Sequence, residues 1–404
     1  MNIEIKVRNK KIQKETKQTA PSGYKSAVGA ECFVFIAVFG AFIGALATKM
    51  GTVNMMNTMM NTAYDLLMNT VLKIMAIAVL AGAVAGLLTE FGVVALLNKI
   101  LSPLMEPIYG LPGASIVGVF TAYLSDNPAI LALAEDTGFR CYFKKYQLPA
   151  LTNIGTSFGM GMIVTAFMAG IQSPTGENLI TAVMLGNLGA VIGSVVSVRI
   201  MLHFTKKEYG TEAWCMSRDD ENVVDINLYR KVRTGSSGSR FMEALLEGGK
   251  NGVDMGMAII PGVLIICTVV LMLSNGASSD GTYTGAAYEG IALLPWLSAK
   301  LEFILKPLFG FRSPQAIAVP VTALGAAGAA ISLVPSMVQN GLAGGNDIAV
   351  FTAMCMCWSG YLSTHVAMMD SLKCTKMTGK AILSHTIGGL SAGIAAHMLF
   401  LFVG

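Results

Sequence analysis

The chain is punctuated by apolar runs of about 20 residues, the length at which a helix crosses the hydrocarbon core of a bilayer. Hydropathy places them at 28–48, 66–88, 148–170, 179–202, 254–274, 347–369 and 380–402. This pattern restricts the fold severely. In lipid every backbone polar group must be bonded within the chain, and a helix does that locally. Composition agrees: 53% of the 404 residues are hydrophobic and 13% are charged, where a soluble chain carries roughly 25% charged residues. A large soluble core is excluded because too little polar surface exists to coat it. The expected class is an all-α polytopic membrane protein, with the lipid bilayer as its first partner. The net charge of +4 is modest and its basic residues sit in loops, so they report orientation and give no nucleic-acid surface.

Two more apolar stretches, 113–135 and 314–336, need separate treatment. The first is broken by Ser125-Asp126-Asn127-Pro128. As a spanning helix it would hold Asp126 at its centre, at about 2.5–3.5 kcal/mol on insertion scales, with Pro128 breaking the ladder beside it. As a re-entrant hairpin it would have two arms of about 11 residues, each reaching roughly 16 Å, half the hydrocarbon thickness. Asn127 then caps the second arm and Pro128 starts it. Charge placement decides for two hairpins. Seven spanning helices put the basic tail, Lys99, Arg140, Lys144, Lys145, the loop from Arg199 to Lys250, Lys373, Lys376 and Lys380 on one side. Only Lys49, Lys300, Lys306 and Arg312 remain on the other, whereas two extra spans would divide the charge almost evenly.

An internal repeat underlies the layout. ILSPLMEPIYG at 100–110 matches LEFILKPLFG at 301–310, pairing Pro107 with Pro307 and Gly110 with Gly310. The same offset pairs Leu101 with Leu301, Leu124 with Leu324, Thr152 with Thr352, Gly189 with Gly389 and Gly193 with Gly393. Upstream, Asp65 aligns with Asp254 if an insertion falls near 275–288. The expected organisation is a cytoplasmic basic tail (1–27), a first transmembrane half (28–202, hairpin 113–135), a cytoplasmic linker (203–253, with the GSSGS patch at 235–239) and a second half (254–404, hairpin 314–336). Amphipathic segments at 91–109 and 289–309 precede the hairpins. Each half has three crossings, an odd number, so the halves insert in opposite orientations. Residues 1–47 resemble a signal peptide ending in Ala45-Leu46-Ala47, but 28–47 is longer than the usual hydrophobic region of one, which favours an uncleaved first span. The seven cysteines are scattered and odd in number, so no disulfide framework is implied.

Candidate site residues follow from polarity at membrane depth. Ser125, Asp126 and Asn127 are the first choice, since intramembrane carboxylates bind cations or exchange protons and the following helix start offers free N–H groups. Gly325 and Gly328, at the opposite tip, let backbone approach a ligand closely. Thr152, Asn153, Thr156 and Ser157 gather near glycines, where local unwinding would expose carbonyls and hydroxyls. In the second half Ser359, Ser363, Thr364 and His365 form the comparable strip. The structural alternatives are a capped turn, tight helix packing and interhelical hydrogen bonds. His203, His385 and His397 are dispersed, with no metal spacing, and no catalytic motif is present, so neither an enzyme nor a resident cofactor is expected.

The motifs EPIYGLPGASIVGVFTAYLSDNPAILALAED and LTNIGTSFGMGMIVTAF resemble the nucleoside-recognition (Gate) domain membrane proteins, particularly their YjiH-type members. The resemblance covers most of residues 60–404 and implies kinship with part of the concentrative nucleoside transporters. It implies the two-hairpin fold and leaves the solute open. The expected function is alternating-access transport of a small polar solute (nucleoside-like, amino acid, peptide or other organic solute), with Na⁺ or H⁺ as coupling ion. The alternative is a non-transporting partner of spore-maturation type. The expected location is the inner membrane of a bacterial cell with the amino terminus cytoplasmic; a homo-oligomer is compatible with it.

Overall fold

The computed structural model describes residues 25–125, 130, 133, 137–216, 229–278 and 280–403. The protein is an all-α polytopic membrane protein. Among the described residues, six helices are long and apolar enough to cross a bilayer. The first, α1 (Ala30–Met50), is exposed on nearly every face, with Phe33, Phe35, Ile36 and Val38 all outward, as a lipid-facing helix should be.

The second crossing is longer than hydropathy indicates. α2 (Thr52–Asp65), a π-helical turn (Leu66–Val71) and α3 (Leu72–Glu90) form one 39-residue rod. Its counterpart is α9 (Ser237–Gly262), a π-helical turn (Val263–Cys267) and α10 (Thr268–Ser274). The π turns start 197 positions apart, which replaces the Asp65–Asp254 alignment. The stretch expected as a linker, 203–253, is helical at both ends. Its first residues complete helix α8 (Ile180–Tyr209), and Ser237–Gly252 are helical, with Ser236 Oγ accepting from Ser239 N as the cap of α9.

Between the rods and the rest lie α4 (Val93–Tyr109), α5 (Ser115–Leu124), the broken pair α6 (Ala150–Phe158) and α7 (Gly161–Ala169), and α8. The second half repeats the order. It has α11 (Leu293–Lys300) with α12 (Glu302–Phe309), the hairpin α13 (Ala318–Ala323) and α14 (Ala327–Gln339), the broken pair α15 (Gly345–Cys357) and α16 (Tyr361–Ser371), and α17 (Thr378–Val403). The run expected as one span at 347–369 is therefore two helices. The second interrupted stretch turns back on itself. α13 packs on α14, and in the first half Ile130 lies against Gly118 of α5, 3.0 Å from where a Cβ would stand.

The repeat is carried by matched polar fastenings. Gly110 and Gly310 both end their helices in the left-handed region, at φ 75° and 61°, where glycine avoids the Cβ clash. Gln147 Nε2 donates to Gly110 O at 3.0 Å and Asn346 Nδ2 to Gly310 O at 2.9 Å. Arg199 of α8 holds the carbonyls of Pro107 and Ile108, while His397, at the matching place on α17, pairs with Asn346 at 2.7 Å.

Equivalent helices of the two halves cross antiparallel. Along α3 and α9, Ala78 faces Gly252, Gly82 faces Gly248 and Gly86 faces Ala244. Along α8 and α17, Gly189 faces Ala396, Gly193 faces Gly388 and Ala392, and Ser197 faces Gly388. Rising numbers on one helix meet falling numbers on its equivalent, which is the signature of an inverted repeat. Small residues at these crossings let backbones touch where lipid gives no hydrophobic drive for association.

Outside the spans, Glu289 clamps the loop before α11 onto α2. Burial pushes its carboxyl up, but hydrogen bonds from Ser278 Oγ (2.6 Å), Thr284 N and Oγ1 (3.0 and 2.7 Å) and Gly285 N (3.0 Å) outweigh that and hold it down at about 2. A depressed carboxylate stabilises fully above its unfolded value and loses that as pH falls towards its folded value. Hydrogen-exchange protection in this loop, taken relative to the intrinsic rate at each pH, is therefore expected to fall between about pH 4.5 and about pH 2. Glu289→Gln should remove the dependence, and pH-independent protection would contradict the assignment.

Candidate substrate and ion site

Two helix breaks face inward at matching positions. α6 ends at Phe158 and α7 restarts at Gly161, with Met160 between them at φ 55°. α15 ends at Cys357 and α16 restarts at Tyr361, with Gly360 at φ 64°. Met160 and Gly360 are 200 positions apart, the offset of the repeat. A left-handed methionine is strained by about 1–2 kcal/mol, so the break is held by its surroundings. Tyr123 supplies part of that: its ring fills the space at Gly161, and its hydroxyl donates to Asn187 Oδ1 (3.0 Å) and lies 3.1 Å from Thr165 Oγ1.

The candidate residues divide into three places. Ser125 ends α5 and borders a cavity of about 260 Å³ between the first hairpin and the α3–α9 crossing, with Thr121, Asn251 and Arg233 among its other walls. Asp126 and Asn127 lie outside the described residues. Gly325 and Gly328 abut the second rod, at Ile266 and Ile259, so their lack of side chain serves packing.

Thr152, Asn153, Thr156 and Ser157 are all fully buried. They stand in regular helix, not in unwound chain as expected; the unwinding comes at Gly159 and Met160. Thr156 Oγ1 and Ser157 Oγ return their protons to Thr152 O (2.7 Å) and Asn153 O (2.8 Å). Asn153 instead reaches out, donating to Ser197 Oγ (2.9 Å) and Ala381 O (3.1 Å). On the other side Ser359 is buried at the second break, Thr364 is half-buried on α16, Ser363 follows in the same helix, and His365 is fully buried.

The fold brings Asn153 and His365 into one polar cluster and adds members that sequence spacing did not point to. Ser197 Oγ lies 3.0 Å from His385 Nδ1, and His385 Nε2 donates to Cys357 O. The rings of His365 and His385 are 4.6 Å apart, with Tyr361 5.9 Å from each. Tyr361 is bonded to Thr386. Among the described residues, no group of His, Cys, Asp and Glu is arranged to hold a metal.

No protein-family profile matches the chain, and no curated protein matches it. Solved structures do. The concentrative nucleoside transporter CNTnw in an inward-facing substrate-bound state aligns at TM-score 0.53 and 14% identity, over 83% of this chain and 76% of that one. A variant of CNTnw in an outward-facing state aligns at 0.54 and 14%, over 83% and 76%. Another variant in an intermediate state aligns at 0.52 and 14%, over 81% and 76%.

The fold is that of a concentrative nucleoside transporter. Within it, α5, the α13–α14 pair and the broken helices supply the described residues expected from the sequence, and the α13–α14 pair packs on the second rod at Ile259 and Ile266. The likeness is one of fold and is silent on the Gate-domain, YjiH-type assignment.

Proposed function

We propose that this chain is a membrane transporter that moves a small polar solute by alternating access. The observation that carries the reading is the pair of left-handed breaks, Met160 and Gly360, at equivalent places in two inverted halves. Broken elements at the interface of inverted repeats are where secondary transporters bind solute, and their exchange of conformations gives access from either side. The inward- and outward-facing states of CNTnw support the same reading. The solute is nucleoside-like, an amino acid, a peptide or another organic solute. Ser125, Asp126 and Asn127 of the first hairpin, with Asn153, Thr156, Ser359 and His365 beside the breaks, are its proposed contacts. Both hairpins are proposed to enter the membrane from opposite faces, with the amino terminus on the cytoplasmic side of a bacterial inner membrane.

The test is flux. Purified protein in vesicles is offered a panel of radiolabelled nucleosides, amino acids, dipeptides and organic acids. Saturable uptake of one class is expected, and Asp126→Asn should reduce it at least about tenfold at equal expression, as loss of a charged contact worth about 1.5–3 kcal/mol requires. Uptake unaltered in that variant removes Asp126 from the site. A panel with no transported solute removes the proposal.

A further inference from the structure

A cavity of about 420 Å³ lies where the 170–179 loop of the first half meets the start of α15 in the second. α8, 30 residues and roughly 45 Å long, begins just after this loop and carries Lys206 and Lys207 in its last turn. The cavity and those lysines therefore stand at opposite ends of a spanning helix. Gln339 Nε2 of α14 fastens the loop, donating to Gln172 O at 2.9 Å. Leu305, Phe311, Pro314 and Phe400 give the cavity an apolar wall. Such a size, with an apolar lining and a few polar groups, suits a small organic molecule.

Most of its polar groups are spent on one another. Lys306 Nζ lies 3.3 Å from Glu302 Oε1. The Asp347 carboxylate accepts from Gly344 N (3.0 Å) and Arg312 N (3.1 Å). Asn346 is bonded to Phe309 O, Gly310 O and His397. Two opposite charges are left over. Among the described residues, neither the Arg312 guanidinium nor the Glu177 carboxylate has an ion pair, and both residues are exposed at the cavity. They flank adjacent glycines. Arg312 Cζ stands 2.8 Å from where a Cβ on Gly344 would be, and Glu177 Oε1 lies against the corresponding place on Gly345. Neighbouring Cα atoms are about 3.8 Å apart, so the two groups stand within about 12 Å of each other, yet too far apart to pair directly. Ser313, in the same wall, has a buried hydroxyl oxygen without a partner.

We infer that this cavity binds a zwitterion with an apolar body, an α-amino acid or a short peptide. Its carboxylate meets the Arg312 guanidinium, whose planar fork matches two carboxylate oxygens. The first N–H groups of α15, which have no acceptor within the helix, add to that attraction. Its ammonium meets Glu177, and its side chain lies on Phe311 and Phe400. Other classes fit less well. A nucleoside brings neither charge. A simple anion faces the Glu177 carboxylate, and a simple organic cation faces Arg312. A metal ion finds no set of ligands, since among the described residues no group of His, Cys, Asp and Glu is arranged to hold one. The site stands on geometry alone; that its ligand is also the transported solute rests on the transport reading.

Calorimetric titration of the purified full chain in detergent tests this, with L-leucine, L-phenylalanine and L-leucyl-L-leucine as probes. Saturable binding of at least one is expected. The tighter of leucine and its dipeptide tells whether the two charges belong to one residue or to the two ends of a peptide. Removing either charge from the probe should weaken binding at least about tenfold: leucinamide lacks the carboxylate and isocaproate lacks the ammonium. Arg312→Gln should abolish the leucine signal. Glu177→Gln should erase the preference for leucine over isocaproate while isocaproate still binds, a result that a misfolded variant cannot give. Absence of zwitterion binding overturns the inference. So does equal binding of leucine and isocaproate by the unaltered protein, or leucine binding that survives Arg312→Gln. Vesicle flux separates the site from the carrier. Nucleoside uptake without zwitterion binding removes the site and keeps the carrier. Zwitterion binding that Arg312→Gln abolishes, with no flux of any solute, keeps the site and removes the carrier.

Discussion

Gly248→Val is expected to abolish the folded protein. A Cβ on Gly248 would stand 2.2 Å from Gly82 O, and a Cβ on Gly82 would stand 2.3 Å from Gly248 O. Neither obstacle is a side chain that swings aside; both are helix backbone. Overpacking a well-filled core costs about 1–3 kcal/mol even where side chains yield, and here the α3 and α9 rods must separate along the crossing that joins the halves. The equivalent test at the other crossing is Gly193→Val, which meets Gly388 O at 2.5 Å. Gly40→Val is the control, since nothing lies within 4 Å of Gly40 on the lipid-facing α1. That change should be neutral or slightly stabilising, because glycine inside a helix costs about 0.5–1 kcal/mol. Size-exclusion profiles and thermal unfolding in detergent read all three. A Gly248→Val protein as stable as Gly40→Val would mean that the rods do not cross as described.

These crossings show how unevenly the sequence discloses the fold. Gly110 and Gly310 could be paired by eye because Pro-aliphatic-aromatic-Gly is a distinctive string, and both do end helices with positive φ. The second hairpin could be placed because an apolar run with glycines at its centre cannot be one comfortable helix. The break at Met160 could not, since its partner Gly360 is a glycine and it is not. The strain there is imposed by tertiary packing, and the polar run Thr152–Ser157 drew attention to residues a turn too early. The first rod was undercounted for the opposite reason. TVNMMNTMMNTAYD lies outside the span expected at 66–88, yet it is helix whose asparagines fasten the 275–292 loop, Asn54 to Tyr283 O and Asn61 to Gly285 O, both at 2.8 Å. Gly248 and Gly252 looked like linker because flexibility and close approach use the same residue. The histidine pair was hidden for a different reason again. His365 and His385 share no helical face, and only the docking of α16 on α17 puts their rings side by side.

The second large effect is expected from the charges that tie residues 229–240 to the end of α3. Glu90 is an acid at a helix carboxyl end, where the dipole opposes it, and its side chain is only 3% exposed. It survives there because Arg233 Nη1 lies at 2.7 Å, Arg240 Nε at 2.6 Å and Arg233 N at 3.3 Å. Arg233 also reaches Glu247, which is 61% exposed. Removing one side of a buried pair leaves a stranded charge and costs far more than the pair itself was worth. Arg233→Ala with Arg240→Ala should therefore lower the unfolding temperature sharply and expose the 229–236 segment to protease. Adding Glu90→Gln to that background should restore much of the loss, since the stranded charge is then gone. Glu247→Ala alone should do little, because exposed pairs contribute about 0–1 kcal/mol. The consequence reaches the candidate site: Arg233 and Glu247 line the same cavity as Ser125. With the strap cut, a Ser125→Cys variant should react with a water-soluble maleimide at least about tenfold faster, as an open state raised by about 1.4 kcal/mol in population would give. Failure of Glu90→Gln to rescue would show that Arg240 acts by packing over Phe91 rather than by charge, and unchanged labelling at position 125 would detach the strap from the cavity.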